Sequence, residues 1–338
     1  MRLPSNFLAD PIDAGGRRLD AGETVFIEKA LTHVETTAYN TEFPPTESQK
    51  YVPRQTGIHP GAQFYEYYRY TRTGVAALVT SLGQDLPTSG IYLDKYNKQF
   101  YDFGSKYEYS LADLLAGQFA AMNMRGPSIS VDAELAIAAR EAVNRGHDMI
   151  AALGSASSAV IPGLSNNVTP DLGILGLLNQ PSATTYTPAT GASGSQSWDS
   201  KTPDEKLADL AGAFAALESS TYKIFSPDTF LLPIAKFRRA AFQRMGDGSD
   251  ESVISLFKKL NPGAAIDSWQ YCQSAGSGSV DRMVAFVNDP RRVKYVVSVE
   301  FQQLPVEYRN RVFKVDCIAR TCGVVAPYPI SILYADGI

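Results

Sequence analysis

Apolar and polar positions alternate along Phe64-Tyr65-Glu66-Tyr67-Tyr68-Arg69-Tyr70, setting Phe64, Glu66, Tyr68 and Tyr70 on one side of an extended chain and Tyr65, Tyr67 and Arg69 on the other. That is the period of a β-strand. Residues 75–80 read as a second apolar strand after Thr73-Gly74, and residues 92–103, with Tyr92, Tyr96, Phe100, Tyr101 and Phe103, as the returning strand. Ten of the eighteen tyrosines lie between Tyr51 and Tyr109. A hairpin of this kind is only marginally stable alone in water, so its rings need cover from the rest of the fold or from a neighbouring subunit.

A helical period takes over at residue 110. Ser110 is placed to cap a helix over residues 111–124, in which Leu111, Leu114, Leu115, Gln118, Phe119 and Met122 recur at helical spacing until Arg125-Gly126-Pro127 ends it. Ser130 is placed to cap a longer helix, with Asp132 and Glu134 in its first turn and Gly154 just past its end. Its apolar stripe reads Val131, Leu135, Ala138, Ala142, Met149 and Leu153; Arg140, Glu141, Asn144, Arg145 and Asp148 fall on the wetter side. At 1.5 Å per residue it reaches roughly 35 Å, the length of a structural spine.

Beyond it, residues 154–160 and 182–198 are rich in Ser, Thr, Ala and Gly and read as loops around the apolar segment 172–178. Alternating helix and strand follow. Thr202-Pro203-Asp204-Glu205 is a strong helix start, with a capping hydroxyl, proline at the first position and acids in the first turn. Strands are expected at 228–232, 281–287, 293–301, 312–326 and 330–334, and helices at 202–219, 234–245 and 251–260. Ahead of the tyrosines, residues 1–51 hold one short amphipathic stretch, 23–36, and a Phe43-Pro44-Pro45 break, and read as an arm.

Composition excludes several functions. With 44% hydrophobic and 20% charged residues the chain is globular, and its net charge of −4 argues against a protein that coats nucleic acid. No apolar run reaches 18 residues, so no transmembrane helix is expected, and the start of the chain lacks a signal peptide's apolar core. Catalytic chemistry is thin. His33, His59 and His147 stand apart, and Cys317 and Cys322, five positions apart in a strand, point to opposite faces, so neither set forms a metal site. Together with Cys272 they read as buried thiols of a reducing compartment. Gly276-Ser277-Gly278-Ser279 has no following Gly-Lys-Ser/Thr and reads as a turn. Acid pairs at helix starts complement dipoles, and the basic groups at 236–244 and at Arg291, Arg292 and Lys294 read as solvated faces or intersubunit ion pairs. No cofactor, catalytic residue or metal is expected.

An ordered set of motifs then becomes informative. Gly278-Ser279-Val280-Asp281-Arg282-Met283, Glu300-Phe301-Gln302-Gln303-Leu304-Pro305, Ala319-Arg320-Thr321-Cys322-Gly323 and Tyr334-Ala335-Asp336-Gly337-Ile338 resemble the major capsid proteins of tailed phages with the Hong Kong 97-like fold. Pro60-Gly61-Ala62, Asp85-Leu86-Pro87, Gly176-Leu177-Leu178-Asn179-Gln180-Pro181, Trp198 and Lys201-Thr202-Pro203-Asp204-Glu205 extend the resemblance over residues 43–338. It implies an α+β fold: N-terminal arm 1–51, extended E-loop hairpin 52–109, peripheral domain with a spine helix at 110–155 completed by strands within 300–338, and mixed α/β axial domain 156–299.

It further implies hexamers and pentamers closing an icosahedral virion capsid around double-stranded DNA, touched without sequence preference, and assembled in the host cytoplasm without membrane contact. No long N-terminal scaffolding extension is present, which leaves open a separate scaffolding protein or prior cleavage; a portal and a cementing protein are the other partners the resemblance implies. Lys95, Asn97 and Lys98 are suitable for cross-linking, but residue type does not establish such a bond and a noncovalent shell is the expectation. The candidate intersubunit contacts are Phe64, Tyr65, Tyr67, Tyr68, Tyr70, Tyr92, Tyr96, Phe100, Tyr101, Phe103, Arg291 and Arg292. An encapsulin-like nanocompartment shell or, further off, a soluble α/β enzyme are the competing readings.

Overall fold

In the computed structural model, which describes residues 43–78, 86–122, 130–155, 172–246 and 250–338, the chain forms two five-stranded sheets and a detached two-stranded ribbon. The first sheet joins β1 (Arg54–Gln55), β4 (Tyr101–Ser110), β9 (Lys294–Gln303), β10 (Glu307–Arg309) and β11 (Val312–Val325). The long β11 is its axis, with β4 antiparallel along one edge and β10 then β9 along the other. Its ladder with β9 slips between Ile318 and Gly323, where Gly323 takes φ +84°. A bulge of this kind increases local twist. Along β4, Phe103, Tyr107 and Tyr109 face inward while Asp102, Lys106 and Glu108 face water, as a sheet covered on one side requires.

The cover is α3 (Val131–Leu153), which follows α1 (Ser48–Tyr51) and α2 (Leu111–Met122) in the chain and packs on β4 and β11. Its first half rests Ala139, Leu135 and Ala136 on Tyr107, Val315 and Cys317. Its last turns are buried all round. The buried stripe runs through Ala139, Val143 and His147, one position on from the expected Ala138 and Ala142, and Asp148, expected in water, is buried. Ser110 does cap α2, accepting from the Asp113 amide at 3.1 Å while Asp113 accepts from the Ser110 amide at 3.0 Å. Ser130 does not cap α3: its hydroxyl donates to the Asp132 carboxylate at 2.6 Å.

The second sheet has the order β5 (Thr184–Tyr186), β12 (Ile332–Asp336), β8 (Arg282–Phe286), β6 (Thr229–Leu232), β7 (Ala265–Ser268). Both of its faces are dry. Phe230, Leu232, Met283, Ala285 and Leu333 point to a core shared with α4 (Pro203–Ser220), α5 (Ile234–Phe242) and α6 (Val253–Leu260). The alternate residues Leu231, Val284, Phe286, Ile332 and Tyr334 point to a second core that also takes the end of α3 and Tyr295, Val297 and Val324 of the first sheet. Sequence signals at α4 are realised in full: Thr202 and Glu205 form a reciprocal capping box with Pro203 in the first turn. The preceding Ser/Gly-rich loop is pinned by a buried network in which Lys201 and the Trp198 indole both donate to Asp209, at 2.5 and 2.8 Å.

Several expectations need correction. The returning strand expected over 92–103 is two strands, because Phe100 is buried and its amide closes the ribbon on the Gln63 carbonyl at 2.9 Å, after which the chain pairs with β11. Residues 75–78 are not a strand, and 79–80 lie outside the described residues, as does the amphipathic stretch 23–36. The last strand does not complete the sheet under α3. Its alternate residues are apolar on both sides, and only the second sheet covers both. Residues 294–299, assigned to the other unit, begin β9 of the first sheet. The strands β1, β5 and β7 give no sequence signal because they are two to four residues long.

Gly154 fixes where α3 stops. Its φ of +70° and ψ of −153° suit glycine alone, and a Cβ there would stand 2.1 Å from the Ile174 carbonyl oxygen. Gly194, also at positive φ (+80°), would place a Cβ in open space. Gly154→Ala should therefore lower subunit stability by about 3 kcal/mol or prevent folding, and Gly194→Ala by about 1 kcal/mol. Urea unfolding of the isolated subunits checks this; equal losses would show that the close approach at Ile174 does not matter.

Candidate assembly surfaces

Residues directly opposite in an antiparallel pair share a face, and the ribbon pairs β2 (Phe64–Thr73) with β3 (Gly90–Gln99) over their whole length. One face therefore holds Tyr65 with Lys98, Tyr67 with Tyr96 and Arg69 with Asp94. It is the covered face. Tyr65 and Tyr67 rest on the buried group Phe100, Val296, Cys322 and Val325, and the Tyr65 hydroxyl donates to Gln55 at 3.1 Å. Tyr67 and Tyr96 stack with centroids 5.3 Å apart, and the Arg69 guanidinium lies over Tyr96 and donates to its hydroxyl at 2.5 Å.

The opposite face has no such cover. Phe64, Tyr68, Tyr70, Leu93 and Ile91 stand out from it, with Tyr68 57% and Tyr70 58% exposed. Lys95 and Glu66 pair on this face, 2.8 Å apart. The two faces of one ribbon thus differ in what they need. Tyr65, Tyr67 and Tyr96 on the first face are covered by their own chain, whereas Phe64, Tyr68 and Tyr70 on the second stay more than half exposed, Tyr70 with the Arg72 guanidinium over its ring at 5.5 Å.

The twelve candidate contacts divide accordingly. Phe64, Tyr68, Tyr70, Tyr92 and Arg291 are exposed. Tyr65, Tyr67 and Tyr96 serve the covered face, and Arg292 lies over the Phe225 ring at 4.4 Å and beside Asp289 at 3.8 Å. Phe100 is only 4% exposed, Tyr101 and Phe103 pack on the core at the end of α3, and Phe103 meets the His147 ring edge-on at 4.8 Å. Contact with a neighbour through Phe100 would require unpacking its own subunit. Ile91 and Leu93 are not legible in the sequence as contacts, because only the register opposite Arg72 and Tyr70 puts them on the exposed face. A second exposed apolar stripe, Leu111, Leu115 and Phe119 on α2, is legible as part of an apolar helical face but not as exposed.

Residues 43–55 form a strap across the two sheets. The Arg145 guanidinium covers the Phe43 ring at 3.8 Å, Tyr51 packs on Trp269 at 5.4 Å, Lys50 pairs with Asp267, and β1 runs parallel to β9. The Ser48 amide at the start of α1 donates to the buried Asp148 carboxylate at 2.6 Å, and burial raises the pKa of that carboxyl. Next to it, His147 is buried against Tyr295 and the Glu300 carbonyl, at 2.9 and 2.8 Å. The carbonyl can only accept, so Nε2 carries the hydrogen and Nδ1 accepts from the Tyr295 hydroxyl.

Burial, aided by the nearby Arg54 and opposed by the Glu300 carbonyl, pulls the His147 pKa down to about 4. The folded state thus favours the neutral ring, and its contribution is complete above pH 6.5 and drains away as pH falls toward about 4. The subunit should lose about 3 kcal/mol more between pH 7 and pH 4 than His147→Gln, whose side chain does not titrate. Unfolding curves over that range check the slope difference, which is independent of the offset the substitution introduces and of the neighbouring Asp148.

Among the described residues no group of three or more His, Cys, Asp or Glu could hold a metal ion, and no helix is long and apolar enough to cross a membrane. All three cysteines are buried, and burial pushes the Cys322 thiol up to about 12. Lys236 is held inside its own chain by Asp199 at 2.6 Å, which also accepts from Arg239 at 2.8 Å.

A sequence model of the family described as "Major capsid protein" matches residues 74–338. In fold the chain is similar to the capsid of Myoviridae phage XM1, with a TM-score of 0.75 at 13% identity over 92% of this chain and 98% of that one. Chains from Mycobacterium phage Bobi (TM-score 0.58, 13% identity, 95% and 100% covered) and Gordonia phage Cozz (0.58, 11%, 97% and 97%) are also similar. No curated protein sequence matches.

Proposed function

The chain belongs to the major capsid protein family, and from that premise we propose that its subunits close as hexamers and pentamers into an icosahedral shell around double-stranded DNA. It is a structural protein of the phage capsid and not an enzyme. The observation that carries the proposal is the uncovered ribbon face of Phe64, Tyr68, Tyr70, Ile91 and Leu93. Apolar area removed from water is worth about 25 cal/mol per Å², so several such side chains per subunit hold neighbours together without chemistry. Repetition around the shell multiplies contacts that are weak singly.

The face that meets the neighbour is then that of Phe64, Tyr68 and Tyr70, since Tyr65 and Tyr67 already serve their own subunit. The shell is noncovalent, assembles in the host cytoplasm, and works with a separate scaffolding protein, a portal and a cementing protein. Against a net charge of −4, DNA contact falls to local exposed cations such as Arg238, Arg244 and Lys258 and carries no sequence preference. No specific observation favours a cargo compartment.

The variant Tyr68→Ser/Tyr70→Ser/Leu93→Ser should keep a folded subunit with unchanged circular dichroism, because the three side chains are exposed, yet form no closed particles by electron microscopy. Particles of ordinary diameter would overturn the assignment of that face. For DNA, fragments of unrelated sequence should bind capsomers alike and weaken together as salt rises; affinity confined to one sequence would contradict the reading.

A further inference from the structure

Ribbon aside, the sheets end in short strands on every side but one: β1, β5, β7 and β10 run two to four residues. The exception is β4, which runs ten residues and among the described residues pairs with β11 alone. The Leu111 amide donates to the Arg311 carbonyl at 3.3 Å, which continues that ladder and sets its phase. Odd-numbered residues of β4 therefore bond to β11, and the amides and carbonyls of Asp102, Gly104, Lys106 and Glu108 point the other way. The Ser110 amide, next in that row, is taken by the Asp113 carboxylate. The four before it are exposed and meet no strand among the described residues.

A long open edge is a template for another strand, and β4 carries no proline and no bulge to close it. Its outward row reads Asp102, Gly104, Lys106, Glu108, and that order selects what can lie against it. A second copy of the same edge, antiparallel, must set these residues against one another, because they alone offer bonds outward. With Ser105 on the axis, Asp102 would oppose Glu108; with Lys106 on the axis, two lysines would meet. With Gly104 on the axis, Asp102 of each copy opposes Lys106 of the other and no like charges face. Opposite charges directly across a strand pair stabilise it and like charges do the reverse. Gly104 also leaves the axis free of side chains, although β11 already demands glycine there: a Cβ would stand 2.1 Å from the Cys317 carbonyl oxygen.

We infer that the β4 edges of two copies pair antiparallel about a two-fold axis at Gly104, joining their first sheets into one. The inference rests on the shell reading for bringing the copies together and adds a contact of its own symmetry, isologous and closed at two subunits. Present partners do not stand in the way. Asp102 lies 3.3 Å from Arg320, and Lys106 shares Glu108 with Lys314, at 3.1 and 3.2 Å. Such exposed pairs rearrange at little cost, and Glu108 keeps Lys314 when Lys106 turns to the other copy. Three opposed pairs exchanging two backbone bonds each make a small contact, so it forms where the shell repeats it and not between free subunits.

The test places Asp102→Cys and Lys106→Cys in one chain, assembles particles and oxidises them; the native cysteines are buried and do not compete. Across the proposed pair the two positions lie about 5.5 Å apart, within reach of a disulfide, whereas along one strand they are about 13 Å apart. Non-reducing gels should show dimers and nothing larger, and neither single variant should cross-link. A ladder of larger species would overturn the two-fold pairing. Particles that yield monomers alone would do the same and leave the shell standing, while failure of the unaltered chain to form particles would remove the shell reading itself. A second arm reverses the charges. Asp102→Lys and Lys106→Asp should each lower the yield of closed particles severalfold with circular dichroism unchanged, and the double variant should restore it. The two side chains are too far apart within a chain to compensate each other, so rescue reports contact between copies. Single variants that assemble normally, or a double variant no better than the worse single, would overturn the inference.

Discussion

The two sheets bury a face each in one core, and the last turns of α3 fill it. Ile150 and Ala151 meet Leu231 and Val284 from the second sheet and Tyr295 and Val324 from the first. Everything peripheral hangs from that packing. Interiors at crystal-like density have few alternative arrangements, so a shared core sets the angle between the sheets without any hinge. The strap at 43–55 adds a second tie over the same joint, from Asp148 on α3 to Trp269 beyond β7 and on to β9. The ribbon and α2, at opposite ends of β4, inherit fixed positions from it.

Polar and apolar groups are used in opposite ways. Buried charges close within the subunit: Lys201 on Asp209, Lys236 on Asp199, Arg282 on Asp336. Leaving a buried charge unpaired costs far more than an exposed pair is worth, so such groups are poor candidates for contacts that must form and break during assembly. Exposed apolar stripes behave differently. They tolerate water before assembly and gain on leaving it, and the Lys95 and Glu66 pair on the open ribbon face keeps charge among the rings. The buried ion pairs are thus internal to the subunit, while the open ribbon face keeps apolar side chains at the surface.

Much of this was legible in the amino-acid sequence. Helix starts with a hydroxyl and acids, the proline at 203 and the alternation at 64–70 declared local structure through short-range physics, and those elements stand where expected. What could not be read depends on partners distant in sequence. The burial of Asp148 follows from the arrival of Ser48, one hundred residues earlier. The division of residues 92–103 follows from β11, more than two hundred residues later, capturing Tyr101 onward. At the ribbon, composition announced that rings needed cover, but which rings already had it required Val296, Cys322 and Val325 to be in place.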